Sequence, residues 1–410
     1  MNKIIKEQLR LLKPSATLSI NEESSRLEKN GKKIYRFGFG QSPFPIPEAV
    51  VSALKLNANK NKYLPIQGLE SLRESIASNL NNNNNNFNSE NIIIGPGSKE
   101  LMLLIQIAFD GEILLPVPSW VSYQPQALIA KNKVHWINTS RNSNWFPTAE
   151  DLENKIKNIK CKNLILFINS PNNPSGTICN NLKEISEVAK KYKLIILSDE
   201  IYSKLSFDGK YKSISNYYPE RTIVSSGLSK WCGAGGWRLG FFAIPETLNQ
   251  LRDSLKILCS ESFTSVSAPI QYAAIEAYKG DHSEYLRRVN KILYFTGNYI
   301  YENLKSNSID ISKPEGGFYL FPEFKNAKFS SSSEMCSDIL NKTGVALLPG
   351  SDFGMDNKKM ITRLSYTDFD GVNFLKNTSG SKNLDKEDLK KYAPNIVEGV
   401  YKLKEWSKNL

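Results

Sequence analysis

Leu194-Ile-Ile-Leu-Ser-Asp199-Glu200-Ile201-Tyr202 decides how the rest of the chain is read. Leu194–Leu197 is an unbroken apolar run short enough for a strand, and a strand apolar on both faces belongs inside a parallel sheet. Asp199 stands at its end and Tyr202 three residues further on. A second such run, Asn163–Asn169, empties into Asn-Ser-Pro-Asn-Asn-Pro-Ser-Gly, a turn composition. Leu182–Tyr192, between the two, reads as a helix. Working outward, Asn91–Ile94, Glu112–Pro116, Val134–Ile137 and Thr222–Ser226 read as further strands, and Leu101–Phe109 as a helix. Strands alternating with helices predict an α/β fold, a mostly parallel sheet covered on both faces. Ligands of such sheets gather at the carboxyl ends of the strands. After about residue 290 the pattern changes to long helices and short strands. That change predicts three parts: an N-terminal segment (1–46) joining a small domain, a large domain (47–290), and the small C-terminal domain (291–410).

Composition narrows the chemistry. The 410 residues are 40% apolar and 23% charged, a globular balance that excludes disorder throughout. Five scattered Cys, with no CxxC, argue against a disulfide scaffold or a zinc cluster and fit a reducing cytoplasm. Two His exclude mechanisms built on several imidazoles. No apolar run approaches the ~20 residues of a membrane span. The basic N-terminus, MNKIIKEQLRLLKPS, lacks a signal-peptide core, and the terminal Ser-Lys-Asn-Leu is not a peroxisomal tripeptide. The net charge of +12 raises a nucleic-acid partner. Its lysines are dispersed, without an aromatic-interleaved basic stripe, so a solvated surplus is the better reading. The Asn81–Asn86 run reads as a solvated loop.

Three further segments carry chemistry. Ser225-Ser-Gly-Leu-Ser-Lys230-Trp-Cys-Gly-Ala-Gly-Gly-Trp-Arg238-Leu-Gly240 runs from a strand into a Ser/Gly turn presenting Lys230, with Arg238 eight residues on. It is not a dinucleotide fingerprint, because Arg238 stands where the third Gly is required, and no phosphate loop of the GxxxxGK[ST] kind occurs. The turn after Asn169 can aim Asn173 into a cleft. Pro118-Ser-Trp120-Val-Ser-Tyr123 offers an aromatic face for a planar ligand.

Together these segments resemble the pyridoxal-phosphate aminotransferases of fold type I, class I/II, the aspartate aminotransferase superfamily. The resemblance extends from Lys13-Pro14-Ser15-Ala16-Thr17 through Tyr63-x4-Gly68-x4-Arg73, Gly97-Ser98-Lys99, Gly316-Gly317-Phe318-Tyr319 and Pro349-Gly350-Ser351 to Arg363-Leu364-Ser365. It implies a large domain with a mostly parallel seven-stranded sheet, and pyridoxal 5'-phosphate as cofactor. It implies a Schiff base on Lys230, which also moves a proton from the substrate α-carbon by way of a quinonoid intermediate. Asp199 pairs with the pyridine nitrogen, making the ring an electron sink. Tyr202 and Asn173 bind the ring hydroxyl, and Trp120 stacks on the ring. Arg238, Ser229 and the Gly97, Ser98 and Lys99 helix start hold the phosphate. Tyr63 reaches the partner subunit's phosphate, so a homodimer with shared sites is implied. Arg363 binds the substrate α-carboxylate beside the Gly40 backbone.

The sequence departs from the family pattern in three places. Gly227 replaces a Ser three residues before Lys230, Gly40-Gln41-Ser42-Pro43-Phe44 lacks an acidic residue, and extra polar sequence lies between Asp368 and Ala393. The last reads as a surface insertion at the edge of the site. The leading function is amino transfer between an L-amino acid, of aspartate or aromatic type, and a 2-oxo acid. The alternatives are another reaction on the same cofactor (C–S β-lyase, decarboxylase or oxidase), or a basic nucleic-acid-binding protein on an inactive enzyme fold.

Overall fold

The computed structural model describes residues 4–12, 16–81, 85–209, 211–378 and 383–410. Its centre is a seven-stranded sheet: β1 (Ile92–Gly95), β2 (Glu112–Val117), β3 (Val134–Asn138), β4 (Leu164–Asn169), β5 (Ile195–Asp199), β6 (Thr222–Gly227) and β7 (Gly240–Ala243). The order across the sheet is β1-β7-β6-β5-β4-β2-β3. Only β7 runs antiparallel to its neighbours, pairing β1 on one side and β6 on the other. The expected mostly parallel α/β sheet is therefore present. β4 and β5 are buried at every position, which is why they read as unbroken apolar runs. The six sequence-expected strands lie within one or two residues of their expected ends. β7 is the addition: Gly-Phe-Phe-Ala is too short to announce itself by pattern, and it forms because the Gly-rich turn after Lys230 folds the chain back onto β6.

Helices cover both faces. Ser98–Ala108 and Asn249–Ser262 pack over Ile93, Leu115, Phe167, Leu197 and Phe242. Ala149–Lys157 and Leu182–Lys191 pack over Leu114, Leu166 and Ile196. Helix Ser283–Leu304 then leads into short strands, β8 (Ile309–Asp310), β9 (Tyr319–Leu320), β10 (Glu323–Phe324), β11 (Leu348–Pro349) and β12 (Thr362–Ser365). The N-terminal segment joins them: Tyr35 bridges Val345, and the Ser365 amide donates to the Phe37 carbonyl at 2.7 Å. All five cysteines are free thiols.

Three sequence expectations fall partly outside the described residues: the Lys13–Ser15 stretch, residues 82–84 of the Asn run and residues 379–382 of the extra segment. What is described of the last two differs from a solvated loop. Asn85 is buried and donates to Ser215 Oγ at 2.9 Å. The extra segment forms helices Gly371–Asn377 and Lys386–Tyr392, which bury Phe374, Leu375 and Leu389. Its near end reaches the edge of the site, where Phe369, Asp370 and Lys391 face Gln41, Ser42 and Pro43 across a cavity of about 510 Å³.

Candidate active site

The site grows out of strand register. Asn169, Asp199 and Ser225 are partners across β4, β5 and β6, so three polar side chains emerge together at the carboxyl edge of the sheet. The loops that follow carry Asn173, Tyr202 and Lys230. Asn169 ties Asp199 and Asn173 together: its Nδ2 donates to the Asp199 carbonyl (2.9 Å), and its Oδ1 accepts the Asn173 amide (2.7 Å). Because β6 pairs with β7 and Gly227 faces Gly240, the turn from Lys230 returns Arg238 to the same edge. Gly227 has no room for a side chain, since a Cβ there meets the Leu239 carbonyl oxygen at 2.7 Å and Gly240 Cα at 2.8 Å. The nearby hydroxyl in the cavity wall is that of Ser229, whereas Ser226 Oγ donates to the Glu200 carbonyl at 3.3 Å.

A cavity of about 570 Å³ results. Gly40, Ser98, Lys99, Trp120, Asn173, Asp199, Tyr202, Ser229, Lys230, Arg238 and Arg363 all line it, so the sequence candidates converge on one place with two exceptions. Gly97 stands behind the wall: it has φ +87° and would put a Cβ 2.3 Å from Arg238 Nη2. Tyr63 lies away from the cavity, 90% exposed. Arg73, quoted with Tyr63, is buried, donating to the Gly68 carbonyl at 3.1 Å and pairing with Glu90 at 3.0 Å.

The lining sorts by charge. At one end Arg238, itself at φ +54°, donates to the Gly235 carbonyl at 2.9 Å and reaches Ser229 Oγ at 3.5 Å. Beside it, helix Ser98–Ala108 begins with no side-chain cap, leaving its first amides to face an anion. Lys99 Nζ lies over the Trp120 ring (5.6 Å), and burial with the neighbouring Arg238 lowers its pKa from the usual lysine range. At the other end Arg363 is fully buried. It donates to the Gly38 carbonyl (2.7 Å) and to Asn173 Oδ1 (3.2 Å), while its Nε has no partner. Between them Lys230 Nζ donates to the Gly40 carbonyl at 2.7 Å.

Asp199 is the buried anion of the site. Burial raises its carboxyl to about 6, against the hydrogen bonds from Tyr123 and the Ile201 amide and the charge of Lys230, which hold it down. Tyr123 Oη donates to Asp199 Oδ2 at 2.6 Å, and its ring meets Trp120 edge-on at 5.3 Å. Tyr202 and Tyr319 share a hydroxyl–hydroxyl bond of 3.1 Å. Neither Tyr123 nor Tyr319 has a role legible in the sequence; nothing local distinguishes them from packing aromatics. Gly40 makes room for Tyr319, since a Cβ there would fall 2.0 Å from the Tyr319 hydroxyl.

Residues 32–371 match the model of the family described as aminotransferase class I and II. The chain belongs to that family. Aminotransferases of class I and II depend on pyridoxal phosphate and exchange an amino group between amino acids and 2-oxo acids, and this chain is accordingly a transaminase; the alternative reactions are not favoured. It is 32% identical over 386 residues to the aspartate aminotransferase of Bacillus sp. (strain YM-2), covering 89% of this chain and 95% of that one. Identity to the Bacillus subtilis (strain 168) aspartate aminotransferase is also 32%, over 87% of this chain and 92% of the relative. The Rhizobium meliloti aspartate aminotransferase structure superposes with a TM-score of 0.85 at 22% identity, covering 99% of each chain, which shows the shared fold. The lining suits the family's cofactor: the buried Asp199 carboxylate, the Lys230 amine midway, and a glycine-cradled guanidinium beside uncapped amides.

Proposed function

We propose that this aminotransferase binds pyridoxal 5'-phosphate in the cavity at the ends of β4–β6 and transfers the amino group of an L-amino acid, aspartate first, to a 2-oxo acid. The observation carrying the reading is the single cavity in which Lys230, Asp199, Arg238 and Arg363 occupy separate stations. When bound, the cofactor supplies an aldehyde carbon and a ring that withdraws electrons from the substrate α-carbon. Lys230 Nζ, with the Gly40 carbonyl 2.7 Å away, is placed to attach to that aldehyde and then to carry the proton between two carbons. Asp199 holds a proton on the ring nitrogen, with Tyr123 fixing which oxygen it offers. Tyr202 and Asn173 orient the ring hydroxyl, and Trp120 covers the ring face. Arg238, Ser229 and the helix start at Gly97–Lys99 take the phosphate. Arg363 takes the substrate α-carboxylate in its bidentate fork, next to the Gly40 backbone.

The preference for an acidic substrate rests on Lys99. It is a cavity-lining cation with no ion-pair partner among the described residues, and desolvation gives it a reason to accept a second carboxylate. Tyr63, exposed in the single chain as Leu56 is, supports a homodimer in which it completes the neighbouring site. The division into residues 1–46 with 291–410, and 47–290, belongs to the same reading, as does a cytoplasmic location; among the described residues no helix is long and apolar enough to cross a membrane. Lys230→Ala tests the assignment. It should still bind pyridoxal phosphate through Arg238 and Asp199 yet lose turnover by several orders of magnitude. Wild-type aspartate–2-oxoglutarate exchange in that variant would refute it.

A further inference from the structure

Behind Asp199 lies a second buried carboxylate to which no role has been given. Glu200 is almost wholly buried on the other side of the β5 end. Three hydroxyls surround it: Ser198 Oγ donates to its Oε1 at 2.8 Å, Ser213 Oγ donates to the same oxygen, and Tyr211 is hydrogen-bonded to it. The donors continue outward. Ser213 and Ser215 hydroxyls are 2.7 Å apart, and Asn85 Nδ2 donates to Ser215 Oγ at 2.9 Å. Each link can point its proton toward Glu200, so the chain is polarised for an anionic acceptor. Among the described residues no lysine or arginine pairs with Glu200. The titratable groups facing it are Asp199 and Tyr211, with Cys179 beyond Tyr211.

Resting on the functional reading above, we propose that Glu200 is a positioning residue acting through Asp199: an ionised carboxylate, solvated by hydroxyls instead of cations, that adds negative potential behind Asp199 and so retains the proton on the cofactor ring. An ion pair would cancel that potential, whereas a cage of neutral donors stabilises the charge and leaves its field intact. Burial pushes the Glu200 carboxyl up to about 7, so the added field switches on across neutral pH. The alternative is that the cage merely ties Tyr211, Ser213 and Ser215 to the end of β5. Then a neutral side chain of the same shape would serve as well.

Glu200→Gln separates the two, read by titrating the cofactor absorbance of the loaded enzyme against pH, by kcat and KM across pH, and by pyridoxal phosphate affinity. The proposal expects the ring proton to be held about tenfold less tightly, moving the alkaline limb of kcat down by about one pH unit with KM little changed. Reconstitution with N-methylated pyridoxal phosphate, whose ring charge cannot titrate, should erase the difference between variant and wild type. Ser213→Ala keeps the carboxylate and removes one donor. It should match the wild type at high pH and the Gln variant at low pH, and it carries the test if Glu200→Gln fails to fold. Superimposable titrations for wild type and the folding variants would overturn the role of Glu200. If the wild type itself takes up no pyridoxal phosphate, the functional reading fails, and this inference with it.

Discussion

Removing the Tyr123 hydroxyl tests how the buried Asp199 carboxyl is kept ionised. Asp199 has lost its water and would stay protonated near neutrality but for the donors around it. Tyr123→Phe leaves the ring and its packing against Trp120 and Phe167, and deletes only the 2.6 Å bond to Oδ2. A hydrogen bond to a buried charged group is worth about 1.5–3 kcal/mol, or about one to two pH units. The sign follows from which form it stabilises. The hydroxyl donates to the carboxylate, so its loss favours the protonated acid and moves Asp199 upward from about 6. In the cofactor-free protein the ionised fraction at pH 7 then falls about two- to tenfold, and the direction carries over to the loaded enzyme. The assay is kcat against pH from about 5.5 to about 9. The acid limb should move up by about one unit or more, KM should change little, and the rate should recover at the alkaline end. A profile superimposable on that of the wild type would refute the assignment of Tyr123 as the donor that keeps Asp199 ionised.

Other outcomes follow from the same geometry. Without cofactor, the raised Asp199 carboxyl binds protons more tightly folded than unfolded, so its stabilising contribution is full below about pH 3.8 and lost as pH rises through about 6. Asp199→Asn should therefore make the apoprotein more stable at pH 8, by at most about 3 kcal/mol, with the gain vanishing in acid; denaturant melts across pH check this, and a pH-independent difference would contradict it. Gly40→Ala forces the Tyr319 hydroxyl out of a 2.0 Å overlap and breaks its bond to Tyr202. It should lower kcat/KM and destabilise the fold by about 1–3 kcal/mol, and unchanged kinetics would mean the tyrosine pair is idle.

Much of the site was legible because its residues sit where local sequence makes them conspicuous. Asp199 ends, and Asn173 and Lys230 follow, strands whose composition is unmistakable, and register then brings them to one edge. Residues that arrive by tertiary contact were not legible. Tyr123 reaches Asp199 across 76 positions and Tyr319 reaches Tyr202 across 117, and neither separation leaves a local pattern. Asn85 looked like solvated low-complexity sequence, yet one side chain of the run enters a buried hydroxyl chain. Tyr63 shows the opposite limit: it is conspicuous in sequence, but its expected role lies across a subunit boundary and leaves it exposed in the single chain.

The central claim is amino transfer through Lys230 at this cavity. The most direct measurement is a single turnover: enzyme loaded with pyridoxal phosphate is mixed with L-aspartate and no acceptor, and the products are quantified per subunit. The wild type should yield one equivalent of the 2-oxo acid and one of aminated cofactor, and Lys230→Ala neither. Release of carbon dioxide or free ammonia in place of aminated cofactor, or equal yields from the two proteins, would contradict it.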